Sequence, residues 1–380
     1  MSMIDTFIAR EGLSEIAAKV YAAERLTPEE GRRLYDCGNL NVLGHLANHV
    51  RERINGNRAT YVFNMYLNYS NVCILSCQFC SFARKKNEPD AFQYTIEDMA
   101  AEAREGHDRG MTEVHIVGGL HPSLPFDYYL EMIRGIKAAA PGMKVKAFTA
   151  VEIKHLAKRK AKLPIRETLE VLREAGLDAL TGGGAEIFDQ SIRDQICRGK
   201  ETADEWLDIH RTWHQLGMRS TATMLYGHIE SFEQRIDHMR RLREVQDETG
   251  GFTGFVPYAF EPENNELAHI KRATAHDEIK QLAIARLFLD NFDHITAYWI
   301  SLGLPMAQIA LSYGVDDLHG TIKQEKIFHM AGATTPQEQT VAKLEKAIRE
   351  AGREPRQRNT YYEIIEPTPV QAEKPALAEV

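Results

Sequence analysis

No apolar run in this chain approaches the roughly 18 to 20 residues needed to cross a bilayer. Its opening, Met1 to Thr6, has no basic stretch leading into an apolar one. Both absences argue against a membrane span and a secretory leader and predict a cytoplasmic protein. Blocks of like charge are also missing: the formal net charge is -8, and basic residues are interspersed with acids, as in Glu102, Arg104 and Glu105. That pattern excludes a nucleic-acid footprint. Five cysteines is an odd number for a disulfide framework, which favours reduced thiols and metal or redox chemistry. No repeat of solenoid period and no interior linker divides the chain.

What is present is enough apolar material, 43% of 380 residues, to bury a barrel-sized core. Residues 1–57 read as helices: Ser14 to Tyr21 has apolar residues near helical spacing, and Thr27-Pro28-Glu29-Glu30 is a helix start with proline at the first helical position. From Tyr61 onward, short strand-like runs alternate with amphipathic stretches, the pattern of a parallel sheet built from βα units. Candidate strands are Tyr61 to Asn68, Glu113 to Val117, Lys144 to Thr149, Asp178 to Leu180, Arg219 to Leu225, Phe252 to Tyr258, His294 to Trp299 and Gln308 to Leu311. Helices are predicted between them, among them Ala275 to Asn291, with a last one at Pro336 to Ala351. Eight strands predict a closed α/β barrel of the (β/α)8 TIM type over 58–330, followed by a helical extension over 331–365. An open six-stranded partial barrel explains the same pattern. Residues 366–380 are rich in Pro and Glu without periodicity and are expected to be disordered.

The sharpest signal is Cys73, Cys77 and Cys80, three thiols on one short segment directly after the first strand and the polar turn Tyr69-Ser70-Asn71. In a barrel the chemistry sits at the carboxyl ends of the strands, so this loop is placed to hold a cofactor over the mouth. Soft thiolates select zinc, cuprous copper or iron-sulfur clusters, and three local cysteines leave one iron of a four-iron cluster open. Two plainer readings stand beside this one. Spacing of four and three is also one face of a helix, and a zinc site completed from elsewhere, as in a zinc-stabilised barrel hydrolase, uses the same ligands.

Cys-x3-Cys-x2-Cys with aromatic Phe79 before the last cysteine resembles the signature of the radical S-adenosylmethionine (radical SAM) superfamily. The resemblance implies a radical SAM barrel with a [4Fe-4S] cluster on Cys73, Cys77 and Cys80, and S-adenosylmethionine on its open iron. It also implies a backbone contact from Phe79 to the adenine. Gly118 and Gly119, after the second strand, match the glycine pair that lines the methionine part of that cofactor; as residues alone they can be a tight turn. Glu186, behind Gly182-Gly183-Gly184, is a candidate partner for ribose hydroxyls or an acid at a helix N-terminus. Tyr226 and His228, beyond the fifth strand, stand where the family contacts adenine and substrate. Arg84, His228, Asn265 and Arg219 are candidate partners for substrate carboxylates. Cys37 and Cys197 read as ordinary thiols, and His115 as packing.

Longer stretches, Gly182 to Phe188, Asp194 to Lys200, Ser220 to Glu230, Gly250 to Phe255 and Tyr313 to Thr321, resemble the aminofutalosine synthase family of menaquinone biosynthesis. The cyclic dehypoxanthinylfutalosine synthases and the deazaflavin-cofactor synthases share much of this. The resemblance implies addition of an adenosyl radical to 3-[(1-carboxyvinyl)oxy]benzoate, with S-adenosylmethionine consumed as co-substrate and a flavodoxin or ferredoxin as reductant.

Overall fold

The computed structural model describes residues 2–366, so the tail expected from 366 onward lies, from 367, outside the described residues. Four helices open the chain: Met3–Arg10, Ser14–Tyr21, Pro28–Leu34 and Leu40–Asn55. The third starts as predicted, because the Thr27 hydroxyl accepts from the Glu30 amide and the Glu30 carboxylate accepts from the Thr27 amide. The fourth buries Val42, Leu43, Leu46, Ala47 and Val50, a stripe at three- and four-residue spacing that packs against the helix Ala275–Phe288.

Nine strands follow among the described residues: β1 (Arg58–Val62), β2 (Asn64–Leu67), β3 (Glu113–Ile116), β4 (Lys144–Ala147), β5 (Ala179–Leu180), β6 (Arg219–Tyr226), β7 (Phe252–Ala259), β8 (Asp317–Gly320) and β9 (Glu354–Arg358). One six-stranded parallel sheet has the order β2-β3-β4-β5-β6-β7, and a second has the order β8-β1-β9. Parallel neighbours need crossovers, and helices such as Ile96–Asp108, Phe126–Ala139 and Ala203–Gln215 supply them.

The two sheets join into one ring. β1 runs into β2 through Phe63, and on the other side isolated bridges link Phe255 to Ile295 and Thr296 to Asp317. The predicted seventh strand, His294 to Trp299, is therefore reduced to two bridging residues, and Trp299 opens the helix Trp299–Leu302. The eighth was misplaced. Gln308 to Leu311 falls on the helix Leu304–Ala310, started by Pro305 in its first turn, and β8 takes the eighth position and pairs with β1. The six-stranded curl carries the regular ladder, and the remaining quarter is closed by bridges and β8.

The predicted last helix is shorter, Val341–Glu350, and the chain then returns as β9 beside β1. This segment closes the floor of the barrel. Arg358 donates to both carboxylate oxygens of Asp317 at 2.7 and 3.1 Å, Thr360 donates to Glu113 at 2.8 Å, and the Tyr362 hydroxyl lies 3.0 Å from that of Thr296. No helix among the described residues is long and apolar enough to cross a membrane.

Candidate active site at the barrel mouth

The loop after β2 is tied at its base: Cys73 donates its amide to Arg84 at 2.9 Å and Arg84 donates its amide to Asn71 at 2.8 Å. Between these ties Cys73, Cys77 and Cys80 stand in turns and irregular backbone, which disposes of the helical-stripe reading. Neighbouring segments clamp the loop from outside, Ile74 donating to the Leu120 carbonyl, Gln78 to that of Ile196, and Glu266 to that of Gln78. Lys85 Nζ donates to the Leu75 carbonyl and the Ser76 hydroxyl, both at 3.0 Å. The loop is held by neighbouring backbone and by Lys85, and within it the Cys73 sulfur accepts from the Leu75 amide at 3.4 Å.

All three cysteines are unpaired thiols that line one cavity of about 270 Å³ at the carboxyl ends of the strands. Burial pushes the thiols of Cys77 and Cys80 up, and the charge of Lys200 opposes it. Thiolates here need cationic compensation of the kind a metal centre supplies. Among the described residues no three His, Cys, Asp or Glu side chains converge closely enough to hold a single ion. The donor set therefore suits a group with bulk of its own, one iron per thiolate, and fits a four-iron cluster with one iron unligated by protein.

The glycine pair works by close approach. A Cβ on Gly119 would strike the Val72 carbonyl oxygen, and one on Gly118 would lie 2.5 Å from the Tyr69 ring. Only glycine lets the cysteine loop lie across the end of β3. Both line the cavity, as does Phe79. Glu152 secures the junction, accepting from the Gly118 amide at 3.1 Å and the Tyr69 hydroxyl at 2.8 Å. Glu186 also faces the cavity, but it is ion-paired with Lys200 and sits at a φ of +45°. The alternative role of helix-terminal acid belongs instead to Asp189, which caps the helix Gln190–Ile196.

Five further candidates are bonded within the fold. Arg219 is exposed at the first position of β6, about 23 Å along the strand from its carboxyl end, and donates to the Gly250 carbonyl on the opposite rim. Tyr226 is buried on the outer face of β6 beneath the Arg235 guanidinium, 5.2 Å from its ring centre, because strand alternation gives the inward direction to Leu225. His228 has a fully buried side chain; its Nε2 donates to the Leu225 carbonyl at 3.1 Å and its Nδ1 lies 3.0 Å from Glu230. Asn265 spends its amide within its own loop, donating to the carbonyls of Glu261 and Glu263 at 2.9 and 3.1 Å. Arg84 is likewise occupied, by Asp90 at 2.7 Å and by the carbonyls of Ser81 and Ala83. These five are held by structural bonds and none lines the 270 Å³ cavity, but Arg84 and Asn265 line an adjoining one of about 640 Å³ together with Cys77 and Cys80.

Other residues do line it. Lys200 pairs with Glu186 and lies over Phe79, and its charge reaches Cys77. The register pairs Tyr66 with His115 and His115 with Lys146 across β2, β3 and β4, and all three line the cavity together with His319 of β8. His115 is therefore a cavity residue and not ordinary packing. The alternation of polar and apolar residues in Glu113 to Ile116 and Lys144 to Ala147 was the available signal, since a barrel turns its apolar face outward to the helices.

Comparison with known proteins agrees with this geometry. Residues 67–242 match the radical SAM superfamily, and residues 249–371 match the CofH/MqnC C-terminal region. The chain is 47% identical to the aminodeoxyfutalosine synthase of Thermus thermophilus, over 93% of this chain and 96% of that one. It is 42% identical to the enzyme of the same name from Streptomyces coelicolor over 95% and 97%. Identity to the cyclic dehypoxanthine futalosine synthase of Streptomyces coelicolor is 38% over 93% and 89%. Among solved structures, methylornithine synthase superposes with a TM-score of 0.71 at 19% identity, over 90% of this chain and 97% of that one, and shares the fold. A three-thiol loop on a glycine pair at the barrel mouth, together with near-full-length identity to such enzymes, shows that this chain belongs to the radical SAM superfamily.

Proposed function

We propose that this chain is an aminodeoxyfutalosine synthase of menaquinone biosynthesis, acting in the cytoplasm on 3-[(1-carboxyvinyl)oxy]benzoate. The observation that carries this reading is the identity to enzymes of that name across nearly the whole chain, above that to the cyclising relative. It sets aside the zinc-hydrolase alternative. The proposed unit is the barrel over 58–330, with the helices of 1–57 as lead-in and 331–365 as the floor.

A [4Fe-4S] cluster with S-adenosylmethionine, reduced by a flavodoxin or ferredoxin, supplies a 5'-deoxyadenosyl radical and leaves methionine. Addition of that radical to the enol-ether double bond and migration of the aryl group from oxygen to carbon would leave an oxygen-centred radical, and departure of the carboxylate as the CO2 radical anion, which carries off the unpaired electron, would give 6-amino-6-deoxyfutalosine. The chain's own part is placement and exclusion. Cys73, Cys77 and Cys80 hold the cluster; Gly118 and Gly119 admit the methionine portion against bare backbone; Phe79 and Glu186 border the nucleoside. Tyr258, Tyr298 and Phe328 wall the cavity with apolar ring faces. Such walls keep water from a reactive intermediate.

Anaerobic incubation of the reconstituted protein with both substrates, followed by mass analysis, tests this. The adenosyl adduct is the expected product. Free 5'-deoxyadenosine without adduct, accompanied by cyclisation of dehypoxanthinylfutalosine, would assign the chain to the sister reaction, and a colourless zinc protein would remove both.

A further inference from the structure

Deep in the cavity, the layer set by β2, β3 and β4 holds Tyr66, His115 and Lys146, and β8 adds His319. Lys146 is only 4% exposed, yet its ammonium has no hydrogen bond or ion pair among the described residues. The nearest acids are already occupied. Glu113 accepts from Asn64 at 3.1 Å and Thr360 at 2.8 Å, and Asp317 is taken by Arg358, Thr60 and Thr296. His115 and His319 each have a buried Nδ1 without a partner. His319 adopts a φ of +65°, a left-handed conformation that is strained for a residue with a Cβ.

A buried cation without a partner is costly, and a strained residue beside it is of the kind found at ligand sites. Burial, with Lys146 alongside, holds both imidazoles below their ordinary range, His319 at about 3. Lys146 is itself lowered by burial against the pull of Glu113. An arriving carboxylate would give its ammonium a partner. Next to this group stands an aromatic wall: Tyr298 lies edge-on to His319 at 5.1 Å and packs 5.0 Å from Tyr258 and 5.3 Å from Phe328. A polar donor cluster adjoining ring faces fits an aryl carboxylate.

We propose that Lys146, with His115 and His319, seats the ring carboxylate of the substrate at the base of the cavity. This identifies a specificity site and rests on the proposed synthase reading. Anchored there, the aryl ring lies along the aromatic wall and turns its enol-ether arm toward the cysteine loop.

The test uses the full chain with its cluster reconstituted, in wild type, Lys146→Met and His319→Asn, asparagine being tolerant of a left-handed backbone. Two probes, 3-hydroxybenzoate and phenol, are titrated alongside the enol-ether substrate. Each variant is expected to raise Kd for 3-hydroxybenzoate and KM for the substrate about tenfold or more. Phenol affinity, S-adenosylmethionine affinity and iron content should stay within about twofold of wild type. Equal binding of 3-hydroxybenzoate by wild type and both variants overturns the seat, as does an equal loss for phenol. Adduct formation with unchanged KM in both variants removes the seat and leaves the synthase reading standing. Lys146-dependent binding of 3-hydroxybenzoate by a wild type that forms no adduct removes the synthase reading and leaves the seat.

Discussion

The ammonium of Lys200 lies 5.5 Å from the centre of the Phe79 ring. Phe79 is the aromatic of the cysteine motif, and Lys200 comes from the segment that follows the helix Gln190–Ile196. The same ammonium pairs with Glu186, and both side chains are at least 87% buried. Removing one member of such a pair strands the other. Lys200→Met should therefore lower the stability of the cluster-free protein by about 3 kcal/mol, whereas Lys200→Met with Glu186→Gln should recover most of that loss. Chemical denaturation of the three proteins measures it, and equal losses in the single and double variants would contradict the pairing.

Cys197 packs close enough to Cys77 for the two thiols to influence each other, yet it does not line the cavity. Cys197→Ala should keep a full complement of iron after anaerobic reconstitution, while alanine at Cys73, Cys77 or Cys80 should abolish it. Iron and sulfide analysis decides; loss of the cluster in Cys197→Ala would make it a ligand.

Gly119→Ala places a methyl group against backbone, which cannot swing aside as a side chain can. The cysteine loop must lift from β3, at an expected cost of roughly 1 to 3 kcal/mol. S-adenosylmethionine binding should weaken at least tenfold, read by equilibrium titration. Normal affinity in this variant would show that the close packing of loop on strand is dispensable.

Glu230 ties the segment after β6 to the helix Phe232–Thr249. Burial alone would raise its carboxyl, but the bond from His228 and the charges of His228 and Arg235 bring it down to about 2. A depressed carboxylate contributes stability that is complete above its unfolded value near 4.5 and is lost as pH falls toward 2. The contribution is on the order of 3 kcal/mol. Glu230→Gln should therefore flatten the fall in stability between about pH 4.5 and 2. Denaturation midpoints across that window would show an unchanged slope if the carboxylate were not responsible.

The local sequence determined the chemistry of this protein: three thiols within one short loop, an aromatic beside them, a glycine pair after the next strand, and the βα alternation that puts such loops on one rim. These features are legible because each depends on neighbours in the chain, through spacing, capping and strand period. The tertiary structure decided which polar side chains meet. Lys146 and His319 are joined only by barrel closure, and alternation along a strand separates two faces without naming the one that points inward. Tyr226, expected beyond the fifth strand, ends β6 with its ring on the outer face while Leu225 points inward, and Arg219, expected as a partner for a carboxylate, starts β6 on the far rim. His228, Arg84 and Asn265 could be located near the rim from sequence, but their bonding capacity is spent on local backbone and carboxylates that appear only once the loops are folded. The eighth strand was misread for a related reason: a short apolar run suits helix or strand alike, and pairing with β1 settled it.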